Sequence, residues 1–159
     1  MLKLIGLSAA MVLAATAADA QVSAKPLSEG RLCAYEDVIG LWDSKVVSAE
    51  EAGVERFAAA FPRDYMRFKP DGGMMYIASN SEIASASEVH ARLDEADSVD
   101  GATYNAAMIA EGVLILFQNG NPFQGFTCTV VEPRGGKAVT IFSELEGMPS
   151  LRRVQFKLD

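Results

Sequence analysis

The chain has 159 residues, half of them hydrophobic, a formal net charge of −7 at pH 7, two cysteines and one histidine. That length supplies one domain with a real core. The acidic charge is unclustered, which argues against nucleic acid and anionic membrane surfaces as partners, because both attract Lys/Arg patches.

The first residues address export. Met1-Leu2-Lys3 carries one positive charge, Leu4 to Ala18 carries none, and Ala18-Asp19-Ala20 puts small residues where a signal peptidase reads. Cleavage between Ala20 and Gln21 is expected. The apolar stretch is shorter than the ~20 residues of a spanning helix, and no later segment is long and apolar enough to cross a bilayer. The expected location is secreted or periplasmic. The organisation is a cleaved signal over 1–20, a flexible polar arm over 21–37 and a β-barrel domain over 38–159. Exported cysteines meet oxidants, so Cys33 and Cys128 are expected to form a disulfide joining the arm to a late strand. Two buried or reactive thiols are the other reading.

Turn signals then punctuate alternating runs. "VIGLWDSKVV", Val38 to Val47, is the first strand. Ser48 with Glu51 forms a capping box for a helix whose apolar face is Val54, Phe57, Ala58 and Phe61, stopped by Pro62. "DYMRFKPDGGMMYIAS" gives two strands around a Pro-Asp-Gly-Gly turn. Ser85 and Glu88 form a second capping box, leading a short charged helix through Leu93 with Val89 and Leu93 on its one apolar face. From Ala102 the period is two. "ATYNAAMIA", "GVLILFQ", "GFTCTVVE", "KAVTIFSEL" and "LRRVQFKL" are separated by Glu111-Gly112, Asn119-Gly120-Asn121-Pro122, Pro133 to Gly136 and Glu146 to Pro149. Short connections favour antiparallel neighbours. The fold expected is mainly β, an eight-stranded antiparallel up-and-down barrel with two short helices, a size that holds one small ligand.

Alternation from an inward Trp42 places Ser44 and Val46 beside it. The candidate ligand-lining residues are Trp42, Phe68, Tyr76, Tyr104, Met108, Phe117 and Phe142, with Met74 among the inward set. Tyr and Met are suited to a guest, one by its hydroxyl and the other by its adaptable thioether. The same residues can instead fill a packed core. In "GVLILFQ" both faces are apolar, so Leu114 and Leu116 compete with Val113, Ile115 and Phe117.

Catalytic patterns are scarce. His90 lies on the charged helix and reads as a surface residue, and no Gly-x-Ser-x-Gly elbow presents a serine. One histidine and two cysteines without a Cys-x-x-Cys are too few for the usual zinc or non-haem iron sites, and no phosphate-binding glycine loop occurs. Asp43, Glu144 and Glu146 are acids on strands or turns that paired-carboxylate chemistry could use. Enzymatic activity stays open, with a non-enzyme the favoured reading, and no cofactor or metal is expected.

Gly40-Leu41-Trp42 resembles the Gly-x-Trp motif that opens the first strand of lipocalins and their calycin relatives. The resemblance implies that the indole plugs the barrel base and that an arginine from a late strand packs over it. Arg152 is the expected partner of Trp42, since it shares a strand face with Val154, Phe156 and Leu158. Barrel closure implies that the last strand pairs with the first. The implied function is binding of a small hydrophobic or amphipathic molecule. The alternatives are an envelope protein-interaction module with a filled barrel, using the acidic helix Ser85 to Asp97 and Phe123 at the tip of "QNGNPFQGF", and a barrel isomerase or cyclase.

Overall fold

A computed structural model describes residues 24–26, 29–48, 59–148 and 151–159. The expected signal over 1–20 lies outside them, as does most of the helix expected between Ser48 and Pro62. The elements are β1 (Gly30–Leu32), α1 (Tyr35–Val38), β2 (Gly40–Ser48), β3 (Arg63–Phe68), β4 (Met74–Ser79), α2 (Ala86–Asp100), β5 (Tyr104–Ala110), β6 (Val113–Gln118), β7 (Asn121–Arg134), β8 (Lys137–Glu144) and β9 (Arg152–Lys157).

Eight of the strands form one antiparallel sheet in the order β4-β3-β2-β9-β8-β7-β6-β5, so every neighbour except β2–β9 is joined by a local connection. The expected closure of first strand on last is present, with Trp42 opposite Lys157 and Ser44 opposite Gln155. The sheet curls into a half-barrel. Its two end strands approach at a seam, where Ala106 N donates to Gly72 O at 2.8 Å and Gly73 bridges to Asn105.

The period of two sorts side chains between the faces. The concave face carries Trp42, Met66, Phe68, Met74, Ala106, Leu114, Leu116, Phe126, Cys128 and Phe142 in one buried cluster. The convex face carries two smaller ones. Leu41, Tyr65 and Met75 pack under Val89 and Leu93 of α2, while Val113 and Ile115 pack with Leu145 and, less deeply, Phe117. Because β6 is covered on both sides, its pattern has no polar face. Phe117 is therefore corrected from the interior to the convex cluster, and Leu114 and Leu116 take the inward positions.

The inward face of β9 also differs from expectation. Leu151, Arg153 and Gln155 are buried, whereas Arg152, Val154 and Phe156 are only half-buried on the other side. Lys45 lies over the Phe156 ring at 5.1 Å, covering that outer apolar row.

The arm is partly built into the sheet. β1 pairs with Thr129 to Val131 of β7 on the edge that β6 leaves after Thr127, so the fourteen-residue β7 has two successive partners there. At the handover, Cys33 N donates to Cys128 O, Cys128 N to Gly112 O and Gly112 N to Cys33 O, at 2.8–3.1 Å. The Cys33–Cys128 disulfide locks this junction. The four-residue connector expected after β6 shrinks to Asn119-Gly120. Both residues have positive φ, 52° and 78°, as a two-residue type I′ hairpin requires.

The disulfide closes a 95-residue separation, for which chain entropy gives roughly 4–5 kcal/mol of stabilisation. Replacing both Cys33 and Cys128 with serine is expected to lower the urea midpoint by an amount of that order. An unchanged midpoint contradicts the bridge's role in holding β1 on the sheet.

Candidate functional site

Gly40 opens β2 at φ 121°, a conformation open to glycine and strained for other residues, and a Cβ there would lie 2.8 Å from Lys157 Cε. The next inward residue, Trp42, is 1% exposed, and its Nε1 donates to Val38 O at 2.7 Å. α1 thus caps this end, with Val38 and Tyr35 packed on the interior cluster and the Tyr35 hydroxyl bonded to Lys69 O at 3.0 Å. The cation over the indole is Lys157, with Nζ 5.7 Å from the ring centroid. Arg152 is not the partner. It pairs with Ser48 at the far end of β2, about 20 Å from Trp42 at the usual rise per residue.

The middle of the half-barrel is polar at its centre and aromatic around it. Asp64 and Gln155 face Ser44 from either side, and Thr140 faces Gln155. All four are 0–2% exposed. Arg153 Nε donates to Asp64 Oδ2 at 2.9 Å, with the two side chains 2% and 0% exposed. The same guanidinium lies 5.3 Å from the Phe126 centroid, Phe126 stacks on Phe142 at 5.0 Å, and Phe68 meets Phe142 edge-on at 6.3 Å. Asp64 Oδ1, Arg153 Nη1 and Ser44 Oγ lack hydrogen-bond partners. Burial pulls the Asp64 carboxyl above the usual carboxylate range, with Arg153 acting against it. Of the candidate lining residues, Trp42, Phe68 and Phe142 are thus packed core with 0–1% exposure.

Tyr76, Tyr104 and Met108 are different. They are half-buried at the side of the interior cluster. Tyr76 and Tyr104 meet edge-to-face at 6.1 Å across the seam, and Tyr104 meets Phe123 in the same way. Phe123 is therefore a packing residue rather than an exposed loop tip. Gln118 Nε2 donates to the Tyr104 hydroxyl at 3.0 Å. Beside this ladder lies a cleft of about 260 Å³, its open mouth included, lined by Met75, Tyr76, Leu93, Ala96, Asp97, Ala102 and Tyr104. Three local features place its α2 wall. Ser85 Oγ accepts from Glu88 N at 3.2 Å as the capping box predicts, Tyr65 accepts from Ile83 N at 2.8 Å, and Gly101 ends the helix in the left-handed conformation. α2 runs fifteen residues, past the expected stop at Leu93.

His90 is half-buried rather than a free surface residue. Arg67 reaches from β3 to its Nδ1 at 2.8 Å and also pairs with Asp94, fastening α2 to the sheet. The candidate acids stay apart. Asp43 is on the convex face, held by Arg63 at 2.8 Å, while Glu144 and Glu146 are exposed on β8 and in the following turn. Among the described residues no group of three His, Cys, Asp or Glu side chains could hold a metal, and no helix is long and apolar enough to cross a membrane.

Compared with protein-family models, with curated proteins and with solved structures, the chain matches none. The cleft walls from Leu93 to Ala102 escaped sequence reasoning because they depend on how far α2 extends. The Asp64–Arg153 pair escaped because hydropathy assigns such residues to the surface.

Arg153→Met strands a buried carboxylate and is expected to cost about 3–5 kcal/mol, whereas Asp64→Leu with Arg153→Met should be close to neutral. Urea unfolding measures both, and a double variant as unstable as the sum of the single ones contradicts this. The native state holds the Asp64 proton to higher pH than the unfolded chain does. That group's contribution is therefore full below the unfolded value and is lost as pH rises through the raised native one. Asp37 and Asp94, held low by Arg31 and Arg67, act with the opposite sign. The wild-type minus double-variant difference in stability should therefore fall as pH climbs out of the carboxylate range.

Proposed function

We propose that this is an exported, lipocalin-like binder of a small amphipathic molecule, seated in the seam cleft rather than in the barrel centre. The observation that carries the reading is the contrast in packing. The centre is filled by its own side chains, while Tyr76 and Tyr104 remain half-buried and line a cleft at the seam. Such a combination suits a compound with an apolar body and a polar group. The cleft is shallow and open to solvent, so a guest is small and only partly enclosed. The lipocalin likeness is supported by the half-barrel, the β2–β9 pairing and the indole plug behind Gly40-Leu41-Trp42. Export is supported by the disulfide and by the charge pattern of the first twenty residues.

The filled centre also favours a second reading, an envelope interaction module that works through its surface. Exposed Val47 and Ile109 are the apolar residues such a surface would use.

Native mass spectrometry of gently purified protein is expected to show a bound small molecule. Ala96→Trp, which fills the cleft from the helix side, should abolish that adduct without shifting the unfolding midpoint. Protein that carries no adduct and binds no amphipathic probe contradicts the binder and leaves the interaction module.

A further inference from the structure

Resting on the cleft as the ligand site, the geometry points to the sign of its guest: we infer that the cleft binds a small organic cation. Asp97 is the one charged residue among the lining side chains. The cleft also abuts the C-terminal end of α2, since Ala96 and Asp97 lie near that end and Ala102 follows the Gly101 cap. A helix C-terminus carries the equivalent of about half a negative charge. Basic residues commonly offset it, but the last turn of α2 contains none. Tyr76 and Tyr104 are also among the lining residues, and aromatic rings attract cations through their quadrupole. The remaining lining is Met75, Leu93, Ala96 and Ala102, which suits the alkyl or aryl body of an ammonium compound better than a bare inorganic ion.

Among the described residues, no lining side chain of the cleft is a cation, and the arginines at α2 are engaged elsewhere. Arg67 is engaged by Asp94 and His90, and Arg92 pairs with Glu88 one turn earlier on α2. The whole chain is acidic, which raises the local concentration of cations near it. An anionic guest would meet Asp97 and the helix terminus, both unfavourable. A neutral guest would use only the apolar walls.

The test compares phenyltrimethylammonium with its uncharged carbon isostere, tert-butylbenzene, and with cinnamate, a carboxylate of similar size, by titration calorimetry on the full mature chain. The cation is expected to bind at least about tenfold more tightly than the isostere, and cinnamate most weakly. Asp97→Asn, at an exposed position, should weaken the cation about five- to tenfold, the scale of one close charge pair near water, and leave the isostere unchanged. Added salt should weaken only the cation. Equal binding of cation and isostere, tighter cinnamate, or no effect of Asp97→Asn overturns the charge preference while the cleft remains a ligand site. If none of the three binds and Ala96→Trp changes nothing, the ligand site itself is overturned.

Discussion

A guanidinium and a carboxylate withdrawn from water face each other across the back of β2, and the shape of the sheet depends on that contact. β3 and β9 flank β2, so their backbones are about 9–10 Å apart. Arg153 sits opposite Val46 and Asp64 opposite Ser44, two residues apart on the same face of β2. A long side chain reaching diagonally closes that gap most readily if the three strands curve toward one another on the concave side. Neither charge can stay buried without the other, because a lone ion in such a place costs several kcal/mol. The pair therefore ties the curl of the sheet to the pairing of first strand with last. The aromatic stack of Phe126 and Phe142 then closes over the guanidinium.

The way this pair is housed removes the deep cavity that an eight-stranded barrel can enclose. Arg153, Gln155, Phe126, Phe142 and Met66 occupy the volume a central ligand would take, all at 0–2% exposure. A cleft opens where the strand ladder is weakest, at the seam. There β4 and β5 share a single bridge, and the tyrosine ladder stands in place of further backbone pairing. Filled centre and open seam have one cause. A sheet held tightly curled by interior contacts around β2 and β9 leaves its mismatch at the opposite edge.

Much of this architecture was legible in the chain. Period-two runs from Ala102 onward, with Gly or Pro between them, gave five strands in the right places, and Cys33 and Cys128 could be paired from compartment chemistry alone. Other parts were hidden for identifiable reasons. β1 is three residues long and carries no periodic signal, and it exists because β7 outlasts β6. The inward face of β9 was misread because "LRRVQFKL" hides its buried positions under Arg153 and Gln155, whose partners lie on β3 and β8. Trp42 of the Gly-x-Trp stretch is buried and bonded to Val38 O, but the strand register brings Lys157, not Arg152, over the indole. An antiparallel first–last pair sets the start of one strand against the end of the other. A cation near the start of β9 therefore belongs at the opposite end of the barrel.

α2 joins the packing argument to the functional one. Its apolar residues Val89 and Leu93 are fully buried against Leu41, Tyr65 and Met75, which fixes the helix on the convex face. Arg67 ties its middle through His90 and Asp94. Its C-terminal turn, by contrast, ends in the left-handed Gly101 and contains no basic residue. A negative charge near that end, such as Asp97, opposes the helix dipole. The helix tolerates the arrangement because burial and the Arg67 clasp, one to two turns earlier, supply its stability. An end held in place by remote contacts is free to carry an unfavourable charge, and it carries that charge beside the cleft at the seam.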